Sequence, residues 1–169
     1  SNRFSGKNDG GKRKMKMLFK QRLFSWSDSY NIYDERENAL FTVDGKIAIG
    51  HKLHIPDAGG RHIATVREKP ISWMPCFRLY VGEKSVGCNR RKFKLFGRRY
   101  VLDFNGWEVS GDFFGWDYAV TDARGGRVAL VGKELFRLTD TYVIDVIDPK
   151  DALYALMIVL SIDADNCDD

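Results

Sequence analysis

Arg90, Arg91, Lys92, Lys94, Arg98 and Arg99 place six cations within ten residues that include no acid. On a strand, Arg90, Lys92 and Lys94 share one face while Phe93 and Leu95 take the other. A hairpin across Gly97 brings Arg98 and Arg99 alongside them. Like charges facing each other across strands are unfavourable unless anions or acidic neighbours intervene. The cluster therefore reads either as a phosphate or anionic-lipid patch or as a solvated strand face paired with carboxylates from adjacent strands. Near an anionic membrane each cation would contribute about 1 kcal/mol.

Other residue types that could do chemistry lack the required spacing. His51 and His54 point to opposite faces of a strand, and neither they nor His62 has a cysteine or third ligand at a zinc spacing, so no metal is expected. No G-x-S-x-G elbow occurs, and Cys76 follows Pro75 in an apolar segment that reads as core. G-x-G-x-x-G and P-loop signatures are absent, which removes those routes to nucleotides. Glu108 and Asp112 could be imagined as paired carboxylates, but Asp112 after Gly111 reads as a turn residue. Asp163, Asp165, Asp168 and Asp169 read as an acidic tail in solvent. Trp73, Trp107 and Trp116 could stack on bases, yet rings in a body of short strands more often fill its interior. The expectation is a protein that is not an enzyme, with no cofactor, no catalytic residue and no nucleic-acid partner.

Charge and cysteine usage bound the setting. The formal charge is +4, and the first fourteen residues hold that whole excess, leaving a neutral body. Residues 1–14 are Gly- and Lys-rich and too poor in apolar residues to fold alone. They read as a disordered basic arm, with Ser1-Asn2 a remnant of tag cleavage. Three cysteines without a C-x-x-C spacing, and the lack of any N-glycosylation sequon, fit a reducing cytosol. No apolar signal segment follows the arm, and the one long apolar run has about half the length of a bilayer span.

These side chains must be held by something, and 169 residues suffice for one domain with a real core. From Met15 to Ile147 the chain reads as short strands rich in β-branched and aromatic residues, as in Tyr30–Tyr33, Phe77–Val81 and Tyr142–Val146. Turn signals separate them at Asp44-Gly45, 57–60, Val81-Gly82, Asn105-Gly106, Ser110-Gly111 and 124–126. A loose echo, in which a bulky residue ends one strand and an aromatic-x-aliphatic pair begins the next, indicates a recurring hairpin. About a dozen antiparallel strands imply a sandwich or barrel.

The pattern then changes. Asp148-Pro149-Lys150-Asp151 is helix-start chemistry, and 152–162 is apolar around its whole circumference. Such a helix cannot lie on a surface in water. The only large apolar partner is the set of strands, so the expected fold is a mainly β, closed antiparallel barrel of about 12 strands enclosing a hydrophobic C-terminal α-helix at about 149–163, with 166–169 an acidic tail.

Three stretches carry a family resemblance: Lys20-Gln-Arg-Leu-Phe-Ser-Trp-Ser-Asp-Ser-Tyr-Asn-Ile-Tyr-Asp34, Asn105-Gly-Trp-Glu-Val-Ser-Gly-Asp-Phe-Phe114, and Asp140-Thr-Tyr-Val-Ile-Asp145 followed by Asp151-Ala-Leu-Tyr-Ala-Leu156 and Ile162-Asp163. Together they resemble the LURP-one-related family across essentially 15–165. That family is similar in fold to the tubby C-terminal domain and the phospholipid scramblases, whose barrel encloses a central hydrophobic helix. The resemblance implies a tubby-like binding module at residues 15–165. The role it implies is non-catalytic recognition of anionic phospholipid or phosphoinositide headgroups or, alternatively, that of a protein-interaction scaffold without lipid affinity. Tubby's own lipid-binding residues have no local counterpart here, so the candidates remain the six cations at 90–99. The implied location is cytoplasmic, peripheral to the membrane where lipid is bound, with no transmembrane segment.

Overall fold

The structure is a computed structural model that describes residues 14–19, 29–46, 52–69, 76–93, 98–134 and 141–167. Twelve strands precede one helix: β1 (Met15–Phe19), β2 (Ser29–Tyr33), β3 (Ala39–Lys46), β4 (Lys52–Pro56), β5 (His62–Glu68), β6 (Cys76–Val81), β7 (Lys84–Phe93), β8 (Arg98–Leu102), β9 (Glu108–Asp112), β10 (Asp117–Thr121), β11 (Arg127–Glu134), β12 (Thr141–Val146) and α1 (Ala152–Cys167). Each strand pairs antiparallel with its chain neighbours, and β12 returns to β1 through registers such as Met17↔Ile144, closing the barrel. Closure leaves no sheet edge to template association. The expected architecture is the observed one.

Strand alternation sends one row of side chains inward. Ile32, Leu53, Ile55, Leu79, Leu102, Val109, Val120 and Ile144 are fully buried there. They meet α1, whose residues 155–165 are all buried. The helix is apolar all round because protein surrounds it on every side. Asp148 caps its 3-10 lead-in, accepting from the Lys150 backbone N–H at 3.2 Å, with Pro149 at the first position. Tyr154 packs with Phe104 and Trp107 at ring centroid separations of 5.5 and 6.1 Å, covering the end where the helix begins.

Three connections at that end share one five-residue form. Asp34, Asp57 and Asp122 each accept from the backbone N–H groups two and four residues on, at 2.8–3.0 Å. Each also closes the loop through its own N–H. Their fourth positions need a left-handed backbone, supplied by Gly60 (φ 84) and Gly125 (φ 81) but by Glu37 (φ 63) in the first. The donated hydrogen bonds hold the Asp34 and Asp57 carboxyls below the usual carboxylate range.

Two sequence turn readings are corrected. Asp44-Gly45 lies within β3, opposite His54 and Leu53 of β4. Ser110-Gly111 lies within β9, where β10 runs so close that a Cβ on Gly111 would sit 2.5 Å from the Asp117 carbonyl oxygen. The turn falls three residues later, with the Gly115 N–H donating to Asp112 Oδ1 at 2.9 Å. Asp163 and Asp165 also depart from expectation: they are buried at 5% and 3% exposure on a helix that continues to Cys167, not on a solvated tail.

Candidate anion-binding wall

The outer faces of β4 to β8 are built by the same alternation that fills the core. On β4, Leu53 and Ile55 turn in, so Lys52 and His54 turn out; on β5, Ala64 and Val66 turn in, leaving Thr65 and Arg67 outside. On β6, Phe77 and Leu79 turn in and place Arg78 and Tyr80 outside. The registers then align what the chain keeps apart. Lys52 is opposite Arg67, and Arg67 is opposite Arg78. The next rung carries His54, Thr65 and Tyr80.

Side chains directly opposed across antiparallel strands have Cβ atoms about 4.5–5.5 Å apart, and like charges there repel. Among the described residues no acid forms an ion pair with Lys52, Arg67 or Arg78. Two adjoining hollows open onto this row. One, of about 250 Å³, is lined by Lys52, His54, His62, Thr65, Arg67 and Tyr80, with Gly82 and the carboxylate of Glu83 at the β6–β7 turn. The other, of about 150 Å³, shares Arg67 and Tyr80 and adds Glu68, Lys69 and Arg78. His54 and His62 approach with ring centroids 4.8 Å apart, and His62 Nε2 hydrogen-bonds Thr65 Oγ1 at 2.8 Å. Fork-shaped guanidinium donors, a hydroxyl and imidazoles around a small hollow match the acceptors of a phosphate group.

The six cations singled out in the sequence are separated by the fold. The expected hairpin forms, and Lys92 stands opposite Arg99. Arg90 and Lys92 point outward while Arg91 points inward, where its Nη1 lies 3.5 Å from Asp165 Oδ2. Arg90 Nε pairs with Asp103 at 3.2 Å, and Arg99 Nη1 with Glu108 at 3.2 Å. Lys92 is exposed and forms no ion pair among the described residues. Lys94 lies outside the described residues, as does the side chain of Arg98. Asp103 and Glu108 thus carry out the neutralisation that the sequence offered as the alternative, at two of the six positions.

Reading the chain alone misses Lys52, Arg67 and Arg78, because each is a single cation in its own strand. The alternation within each strand was visible; the register joining them was not. Beside this row, Cys76 and Cys88 are buried free thiols on β6 and β7. Burial, and then contact with Cys76, push the Cys88 thiol up to about 12, which leaves it a poor nucleophile at neutral pH. His51 and Trp73 lie outside the described residues. Asp112 and Glu108 do not act as a carboxylate pair: one closes a turn and the other binds Arg99.

A closed twelve-stranded barrel wrapped on its own C-terminal helix, with no helix among the described residues long and apolar enough to cross a membrane, defines the structural class. The LURP-one-related family profile matches residues 15–163, and the chain belongs to that family. It is similar to the uncharacterised protein YxjI of Bacillus subtilis (strain 168), with 27% identity over 151 residues, covering 88% of this chain and 92% of YxjI. An X-ray structure of a protein from Arabidopsis thaliana superposes with a TM-score of 0.68 at 18% identity, covering 90% of this chain and 91% of the other. That likeness shows the shared fold.

Proposed function

We propose that the protein is a non-catalytic binding module whose β4–β8 wall recognises phosphate-bearing anions presented as headgroups of anionic membrane lipids. The observation that carries this reading is the row Lys52, Arg67 and Arg78, three directly opposed cations with no paired acid among the described residues. Its repulsion is relieved when an anion sits between the side chains. Lys92 extends the wall toward β8, with Lys94 and Arg98, close to it in sequence, as further candidates; Arg90 and Arg99 are already engaged by acids. A handful of cations at about 1 kcal/mol each is enough for reversible, salt-sensitive attachment. The similarity of the family to tubby and scramblase domains supports a membrane-facing role.

Co-sedimentation of the full chain, and of a chain beginning at Met15, with phosphatidylcholine, phosphatidylserine and phosphoinositide vesicles at low and high salt tests this. Binding of both forms to anionic vesicles only, weakened by salt, is expected. Binding that needs residues 1–14 would move the charge argument to the arm. A second reading, a protein-interaction scaffold, is favoured by Phe114, which is 63% exposed between β9 and β10. In that case partners captured by the chain would be insensitive to salt and no vesicle would bind.

A further inference from the structure

The wall opposite the cation row carries a different feature. In the barrel order β11 lies diametrically across from β5. A groove of about 440 Å³ runs there over the outer faces of β9 to β12 and β1. Its volume is within the range of small-molecule sites, about 300–1,000 Å³.

The floor is apolar where an outer wall is ordinarily polar. Ala119, Leu130, Gly132 and Val143 all point outward and line it. Gly132 is central: a Cβ built there meets nothing within 4 Å, so the missing side chain leaves a dent that no neighbour fills. Val143, its register partner on β12, is only 9% exposed although it faces away from the core.

Three carboxylates line the groove, Asp117, Asp145 and Glu134, the last already engaged in a contact of its own. Asp145 is opposite Leu130, and its Oδ1 is buried without a hydrogen-bond partner. Asp117 lines the same groove and forms no ion pair among the described residues. The cations nearby are otherwise directed. Lys16, the register partner of Asp145, reaches Glu35 at 3.4 Å instead, and Lys133 lies over the Tyr142 ring at 5.7 Å. Arg127 lines the groove as well and is the residue that would favour an acid. A buried carboxylate oxygen with no partner is costly, and a donor brought in by a ligand removes that cost.

We propose that this groove is a binding site for a small amphiphilic amine, its ammonium on Asp145 and Asp117 and its apolar body over Gly132 and Val143. The site is independent of the anion-binding wall and stands if that reading fails.

The test is calorimetric titration of the full chain with hexylammonium, hexanol and hexanoate. These share an apolar chain and differ in headgroup. Hexylammonium should bind at least tenfold tighter than hexanol, and hexanoate more weakly than either. Asp145→Asn should reduce hexylammonium to the level of hexanol, with Asp117→Asn a smaller loss in the same direction. Gly132→Leu, which fills the dent, should abolish both. Equal affinities for hexylammonium and hexanol in the unmodified protein overturn the proposal without any variant. Preference for hexanoate overturns it in favour of Arg127. Tight hexylammonium binding that survives Asp145→Asn in a normally folded variant overturns the role of the carboxylate.

Discussion

Arg91 and Asp165 join the barrel wall to the central helix: the guanidinium Nη1 lies 3.5 Å from the carboxylate Oδ2, with side-chain exposures of 12% and 4%. Tyr100 donates its phenol to the same Oδ2, and Asn89 donates to Ser161 Oγ at 2.7 Å one helical turn earlier. The C-terminal part of α1 is therefore docked by polar contacts, whereas its middle is docked by packing. Removing one member of a buried pair strands the other charge, which costs about 3–5 kcal/mol. Asp165→Ala should lose stability on that scale in urea unfolding. Arg91→Met combined with Asp165→Leu should lose markedly less.

The helix middle sets the core. Leu156 is fully buried at the barrel centre. Leu156→Ala should cost about 2–5 kcal/mol, and Leu156→Asp should prevent folding, as judged by loss of soluble protein and of thermal unfolding cooperativity. A folded, soluble Leu156→Asp protein would place the segment outside the barrel.

Glu37 occupies the left-handed position that Gly60 and Gly125 fill in the two sister loops. An L-residue there carries about 1–2 kcal/mol of strain, part of which glycine's entropy cost returns. Glu37→Gly should stabilise the protein by about 0.5–1 kcal/mol, read as a rise of roughly 2–4 °C in Tm per kcal/mol. Gly60→Ala should lower Tm.

Alkaline pH should weaken the fold before it affects the surface. Burial raises the Cys88 thiol to about 12, and burial followed by the charge of Asp163 raises the Tyr30 and Tyr118 phenols well above their ordinary value. Acids raised in the folded state hold protons that the unfolded chain has released. Their contribution is complete below the unfolded values, about 8.5 for Cys and about 10 for Tyr, and is lost as pH climbs through the folded ones. Urea midpoints measured from pH 8 to 11 should fall, and Cys88→Ala should remove the portion of that fall below about pH 10. Midpoints flat across the range would contradict this reading.

How much of this was legible in the sequence depends on whether local pattern or register decides it. The period-2 strands and the all-apolar 152–162 run fix a closed barrel on a helix, because nothing else in the chain could enclose that run. Asp44-Gly45 and Ser110-Gly111 look like turns by composition, yet each pairs with neighbouring strands, and Gly111 is there to let β10 approach. Asp163 and Asp165 look like a solvated tail until Tyr100 and Arg91 are brought to the second of them by tertiary contact. The charge cluster at 90–99 was conspicuous because it is contiguous, and two of its outward arginines are neutralised by acids on the next turn and strand. Lys52, Arg67 and Arg78 were inconspicuous because only cross-strand register makes them neighbours.

The central claim is that this row binds anionic headgroups, and charge reversal measures it most directly. Arg67→Glu with Arg78→Glu should be compared with the unmodified protein on phosphatidylserine and phosphoinositide vesicles. Arg36→Glu with Arg124→Glu, in exposed turns away from the row, is the equal-charge control. The account predicts that the wall variant loses at least tenfold in vesicle affinity while the control keeps most of it, with Tm little changed in the wall variant because one opposed like-charged pair replaces another. Equal losses in the two variants would show that net charge alone governs binding and would contradict the site.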